Sequence, residues 1–121
     1  MSKQEDAMNL ARSLSFEKSL IYYDGPLLYF ARDKEQQRFL AFYADDDDSA
    51  RTSTYWNVKI SDIECQRLLD GHLDIRTPFV EADGVLSYVE NYETGEVLSA
   101  EFIGGGDLDP SCLPEPGVYL R

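Results

Sequence analysis

Cationic side chains are scarce in this chain of 121 residues, which has 11 Lys and Arg against 23 Asp and Glu and a formal net charge of −12. Binding to a nucleic-acid backbone needs clustered cations that displace counterions, so this balance argues against direct nucleic-acid binding. No apolar run approaches the ~20 residues of a membrane-spanning helix. The segment 1–14 is polar and charged, unlike a secretory signal. We therefore expect a cytoplasmic protein without a membrane partner.

Residues that usually carry metal or nucleophilic chemistry are also few. Cys65 and Cys112 are the only cysteines and show no disulfide pattern, so both are expected to be free thiols. The single histidine, His72, has no second ligand at zinc spacing, and the run 45–48 lacks the pattern of a calcium loop. The one glycine-rich loop, 104–106, precedes acids rather than a lysine. We expect no metal, no cofactor and no catalytic residues.

The length and hydrophobic patterning predict a single domain over 1–121 with an α+β fold. The expected sheet is mainly antiparallel with about six strands, at 19–23, 27–32, 38–44, 51–60, 85–91 and 96–103. Apolar residues at helical spacing predict a short N-terminal helix within 1–15. The acidic segment 45–50 is expected to be a solvated loop, and the tail 107–121 holds three of the five prolines, which excludes regular structure for most of its length.

One clear helix is predicted at about 61–70. Ser61 and Glu64 have the spacing of a capping box, and Gly71 is suited to end the helix. The preceding segment, 51–60, alternates between two parities, which predicts a strand with one buried and one wet face. Strand and helix periodicity together predict these core residues: Leu28, Phe30, Leu40, Phe42, Trp56, Val58, Ile60, Ile63 and Leu68.

The negative charge is concentrated in the last third of the chain. Segment 77–121 holds nine acids and one base, Arg121, a balance of −8. A surface this one-sided is suited to a cationic partner, because charge speeds encounter and aromatic side chains slow dissociation. Most of the tyrosines lie on predicted strands, where ordinary sheet packing is the favoured explanation, and the alternative is that several outward-facing ones form a recognition patch. The predicted partner-binding residues are Tyr88, Glu90, Tyr92, Glu93, Glu96, Asp107 and Asp109.

The segment Leu20–Phe30 (LIYYDGPLLYF) and the strand-to-helix passage Asn57–Arg76 resemble a family of small uncharacterised bacterial proteins. The resemblance covers about residues 19–80. It implies an opening strand pair and a capped helix, and it implies no known activity or site residues. Residues 81–121, the most acidic part, lie outside it.

These observations favour a small, acidic, non-catalytic protein that engages or neutralises a basic protein partner. In physical type it is similar to bacterial toxin-immunity proteins and phage-encoded inhibitors of nucleic-acid enzymes. One alternative is a structural or assembly module that pairs through a sheet edge. Another is an enzyme with a carboxylate site that the sequence does not reveal, since 23 acids offer many accidental pairs.

Overall fold

A computed structural model describes residues 3–22 and 25–120 of the chain. Six strands form one sheet in the order β1 to β6, and each strand is antiparallel to its neighbour. The α+β fold is therefore confirmed. Tyr23, the last residue of the first predicted strand, and Asp24, which follows it, lie outside the described residues, as does Arg121. The elements are α1 (Lys3–Ser13), β1 (Ser15–Tyr22), β2 (Pro26–Arg32), β3 (Arg38–Asp47), β4 (Thr52–Lys59), α2 (Asp62–Leu69), α3 (Thr77–Val80), β5 (Val85–Asn91), β6 (Val97–Ile103) and one turn of 3-10 helix (Gly105–Asp107).

The first face of the sheet packs against α2, α3 and the C-terminal tail and holds the larger core cluster. Phe79 of α3 is fully buried there, and its ring lies 6.0 Å from that of Phe42. Eight of the nine predicted core residues are buried. Ile63 was predicted wrongly, because its side chain is 75% exposed. Helix α2 buries Cys65 and Leu68, and at 100° per residue a side chain two positions before Cys65 points away from the sheet.

The second face of the sheet is covered in part by α1, which packs on β5 and β6. Ala7 and Ala11 are buried at this contact, and their small side chains allow the helix to approach the sheet closely. The prediction that β4 has one wet face is wrong. Ser53 and Asn57, which belong to the supposedly wet parity, are 3% and 1% exposed.

The acidic run 45–48 is not the loop that the sequence predicts. Strand β3 continues to Asp47, and Asp45, Asp46 and Asp47 pair with Thr54, Ser53 and Thr52 of β4. The Asp47 carboxylate then accepts hydrogen bonds from the backbone N–H groups of Ser49 and Ala50, which closes the hairpin. The carboxylates remain exposed although the backbone is paired.

Helix α2 begins as predicted. The Ser61 hydroxyl accepts a hydrogen bond from the Glu64 N–H at 3.1 Å, and the Glu64 carboxylate accepts one from the Ser61 N–H at 3.2 Å. The two cysteines are free thiols, and the buried Cys65 lies 3.1 Å from a guanidinium nitrogen of Arg38. No described helix has the length and apolar character that crossing a bilayer requires.

Candidate functional site

Two acidic segments that are distant in sequence meet at one end of the sheet. Because Thr52 of β4 pairs with Asn91 of β5, the β3–β4 turn lies beside the β5–β6 turn. The Tyr92 N–H donates to the Arg51 carbonyl at 3.1 Å, and the Arg51 guanidinium forms a 3.2 Å ion pair with Glu93, 42 positions away. We call this surface the acidic end; it comprises Asp45, Asp46, Asp47, Asp48, Glu90, Glu93 and Glu96.

Charge at the acidic end is almost entirely of one sign. Its seven carboxylates share segments 45–51 and 90–96 with a single cation, Arg51. The hydroxyl of Tyr92, a side chain that is 44% exposed, lies 3.4 Å from the Asp48 carboxylate. Hydrogen bonds from Ser49 and Ala50 lower the pKa of Asp47, so this carboxylate stabilises the turn in its charged form. The acidic end thus combines exposed negative charge with an exposed aromatic ring.

Next to the acidic end, aromatic rings line the part of the second face that α1 leaves open. Tyr55 is at the centre of this tyrosine cluster, which consists of Tyr29, Tyr43, Tyr55 and Tyr88. The Tyr55 ring stacks on Tyr88 with centroids 5.3 Å apart and meets Tyr43 edge-on at 5.5 Å and Tyr29 edge-on at 6.4 Å. Phe16 of β1 extends the cluster, with its ring 5.5 Å from Tyr29.

Tyr88 was predicted to be a half-exposed side chain that contacts a partner, and the predicted exposure is wrong. Its side chain is only 7% exposed, because it belongs to the cluster that α1 covers. Burial raises the pKa of Tyr88 to about 12, so the hydroxyl is neutral at physiological pH. Of the two predicted tyrosine anchors, Tyr92 is the one at the surface.

A groove of about 220 Å³ opens between the end of α1 and the tyrosine cluster. Leu14, which follows α1, and Phe16 form one side, and the rings of Tyr29, Tyr55 and Tyr88 form much of the rest. Glu90 contributes the groove's one acidic side chain, so the groove opens beside the acidic end. We refer to this cavity as the tyrosine groove.

The Glu90 carboxylate is partly buried in this groove. Among the described residues, no other side chain forms a hydrogen bond or ion pair with it. Burial raises the pKa of Glu90 above its ordinary value. Burial likewise raises the pKa of Tyr29 and Tyr55, and the negative charge of Glu90, which lines the same groove, adds to both rises.

The predicted site residues Asp107 and Asp109 do not join the acidic end. They follow β6, whose last residue, Ile103, pairs with the first residue of β5, so they lie at the opposite end of these strands, ~20 Å away for seven residues. The Asp109 carboxylate accepts hydrogen bonds from the Ser111 hydroxyl at 2.7 Å and the Ser111 N–H at 3.0 Å, which lower the pKa of Asp109. Asp109 therefore has a structural role in the tail.

A second, larger groove of about 500 Å³ lies on the other side of α1, beside the β2–β3 turn. Its charged lining residues are of both signs, Lys34 and Lys59 with Asp33 and Glu35. The buried Asn57 lines it as well. The mixed charge of this groove points to no single class of ligand.

Within residues 3–22 and 25–120, no three His, Cys, Asp or Glu side chains are grouped in a way that could hold a metal ion. Comparison of the chain with known protein families, with curated proteins and with solved structures found no match. The resemblance of residues 19–80 to a bacterial family therefore stays a prediction.

Proposed function

We propose that this chain is a small non-catalytic binding protein whose acidic end engages a basic surface of a protein partner. The observation that carries the proposal is the meeting of the two acidic turns, which places seven carboxylates beside one cation. A field of one sign steers an oppositely charged partner during encounter and raises the association rate. A cytoplasmic location and an inhibitory role, like that of an immunity protein or a phage inhibitor, belong to the same proposal.

The arrangement of the carboxylates favours a large cationic surface over a single ion. Asp45 and Asp47 point to one face of the sheet and Asp46 to the other, because successive side chains of a strand alternate. Carboxylates on opposite faces cannot converge on one cation. Their charges do add at longer range, where several lysines and arginines of a partner can interact with them at once.

The test compares two charge-reversal variants that raise the net charge equally. One changes the acidic end (Asp48→Lys, Glu93→Lys, Glu96→Lys), and the matched control changes exposed acids elsewhere (Glu81→Lys, Glu101→Lys, Glu115→Lys). Each immobilised protein captures partners from a host lysate at low and at high salt, and association rates are then measured with the captured protein.

We expect the wild type and the control to capture the same basic protein at low salt and to lose it at high salt, because salt screens exposed charges. The acidic-end variant should associate more slowly and with a flatter salt dependence. Equal association rates for the acidic-end variant and the control would refute the proposal.

A second candidate function, assembly through a sheet edge, is favoured by the structure of β6. This edge strand contains no lysine or proline, and Leu98 and Phe102 are 48% and 47% exposed. The opposite edge strand, β1, has three register irregularities where β6 has one, and such irregularities commonly prevent edge pairing. Sedimentation of the wild type and of Leu98→Lys separates the two functions, because assembly predicts an oligomer that the variant dissociates.

A further inference from the structure

We propose that the tyrosine groove receives one arginine side chain of the basic partner, with Glu90 as its counter-ion. This inference rests on the proposed function and deepens it, since it assigns a specific anchor within a surface otherwise described by its charge. Four features support it: the size of the groove, its aromatic lining, its lone carboxylate and its position beside the acidic end.

The groove has the size of a side-chain pocket. Its volume of about 220 Å³ is below the range of roughly 300–1,000 Å³ that is typical of sites for drug-sized ligands and cofactors. An extended side chain that enters from a partner's surface needs less room than a free ligand. The groove is open to solvent, which allows such an entry.

The lining suits a planar cation. A guanidinium group lies favourably over the face of an aromatic ring, and it also stacks on rings in a way that an ammonium group does not. The groove offers rings in several orientations, because Tyr55 is stacked with Tyr88 but edge-on to Tyr29. An arginine side chain can therefore contact a ring while its methylene groups pack against Leu14 and Phe16.

Glu90 supplies the charge that selects a cation over an apolar group. A carboxylate held partly away from water without a partner is costly, and the cost falls when an opposite charge binds to it. The raised pKa of Glu90 reflects this cost. An apolar side chain in the groove would desolvate Glu90 further without compensating it, whereas arginine can donate two hydrogen bonds to the two carboxylate oxygens.

The groove also lies where the acidic end would deliver a basic partner. Glu90 pairs with Ser53 on β4, and Ser53 pairs in turn with Asp46 on β3. The carboxylates of Glu90 and Asp46 therefore emerge on the same face of the sheet. Long-range charge would bring a basic surface to this edge, and the groove would then fix one of its arginines in place.

The test uses a small probe, so that it does not depend on finding the partner. Acetyl-arginine amide is titrated into the isotopically labelled protein and followed by NMR, and acetyl-citrulline amide, which has nearly the same shape without the charge, is the control ligand. The variants are Glu90→Gln, which removes the groove's charge, and Glu115→Gln, which removes an exposed charge of the C-terminal tail, outside both the groove and the acidic end. A dispersed spectrum shows that each variant is folded.

We expect the arginine probe to shift the signals of Phe16, Tyr29 and Glu90, and Glu90→Gln to weaken its binding about tenfold, as loss of a charge-assisted pair does. Glu115→Gln should change the affinity less than about twofold, as expected for an exposed charge in water. Equal affinity of the wild type and Glu90→Gln, binding of citrulline as tight as that of arginine, or shifts confined to the surface outside the groove would each overturn the inference.

The two proposals fail in distinguishable ways. If Glu90→Gln binds the arginine probe like the wild type while the acidic-end variant loses its partner, the groove assignment is wrong and the proposed function stands. If the acidic-end variant captures the partner as fast as its control while Glu90→Gln loses the arginine probe, the proposed function is wrong and the groove remains a cation site.

Discussion

Replacing Gly105 with alanine should destabilise the fold strongly, although the residue lies in a loop with glycines on both sides. Gly105 is buried in the 3-10 turn after β6, and its N–H donates to the Ala82 carbonyl at 2.9 Å. A Cβ at this position would lie 2.2 Å from the Phe79 carbonyl oxygen and 2.7 Å from that of Val80. Because both atoms belong to backbone, no side-chain rotation relieves the clash.

The expected cost follows from what must move. Relief of the overlap requires a shift of the turn or of α3, and α3 holds the fully buried Phe79 against the core. Overpacking a well-packed site costs about 1–3 kcal/mol, and a backbone clash belongs at the upper end, about 3 kcal/mol. For a domain of this size we expect the midpoint of thermal unfolding to fall by roughly 10 °C. Such a loss is a large share of the ~5–15 kcal/mol by which domains are stable.

The neighbouring glycine provides the control. A Cβ at Gly106 would meet nothing within 4 Å, and its φ is not positive, so Gly106→Ala should be neutral or stabilising by about 0.4–1 kcal/mol through the lower entropy of the unfolded chain. Urea unfolding is followed by the fluorescence of Trp56, the single tryptophan, which is buried. Equal stability of the two variants would show that the close approach of Gly105 to α3 is not a constraint of the fold.

Three further predictions concern the helix cap, the core and the groove. Ser61→Ala should cost about 1 kcal/mol in urea unfolding, because it removes the hydroxyl that accepts from Glu64 N–H, and an unchanged stability would contradict the cap. The 6% exposure of Trp56 predicts weak iodide quenching of its fluorescence and a cost of about 3–5 kcal/mol for Trp56→Ala; strong quenching would place the ring at the surface. Glu90→Gln should be more stable than the wild type at pH 7, with a difference that shrinks as the pH falls towards 4.5. Because the pKa of Glu90 is raised in the folded state, the charged carboxylate lowers the free energy of unfolding at pH values above that pKa, and this cost disappears as the carboxylate becomes protonated. A stability difference between the two proteins that stays constant over this pH range would refute the burial of the charge.

Local signals in the sequence were sufficient to predict the meander and the capped helix. Ser61, Glu64 and Gly71 specify a helix by groups that lie within one segment, and short turns between apolar runs specify antiparallel neighbours. The burial of Ser53 and Asn57 could not be predicted in the same way. Their polar side chains on one parity of β4 indicate a solvent-facing side, and their burial depends on neighbouring side chains that only the assembled sheet brings onto the second face.

The candidate site shows the same division between local and tertiary information. Charge counting located the acids of the last third, but it separated them from the run 45–48 and joined them to Asp107 and Asp109. The pairing of Thr52 with Asn91 instead brings the run 45–48 beside the β5–β6 turn. This pairing depends on the strand register, which is a property of the assembled sheet. Tyr88 was misplaced because a tyrosine suits a core and a surface equally, so its sequence position does not distinguish the two.

Glu90 is the residue at which stability and function are expected to conflict. A glutamine there would keep the size of the side chain and remove the cost of a partly buried charge, so folding alone gives no reason for a carboxylate in a groove of tyrosines. Sites that bind a ligand commonly retain such locally unfavourable groups, since the group becomes favourable when the ligand arrives. The carboxylate therefore makes physical sense in a protein that spends part of its time with a cation beside Glu90. The exposed carboxylates of the acidic end, which cost little in water, carry no such implication individually and act through their sum.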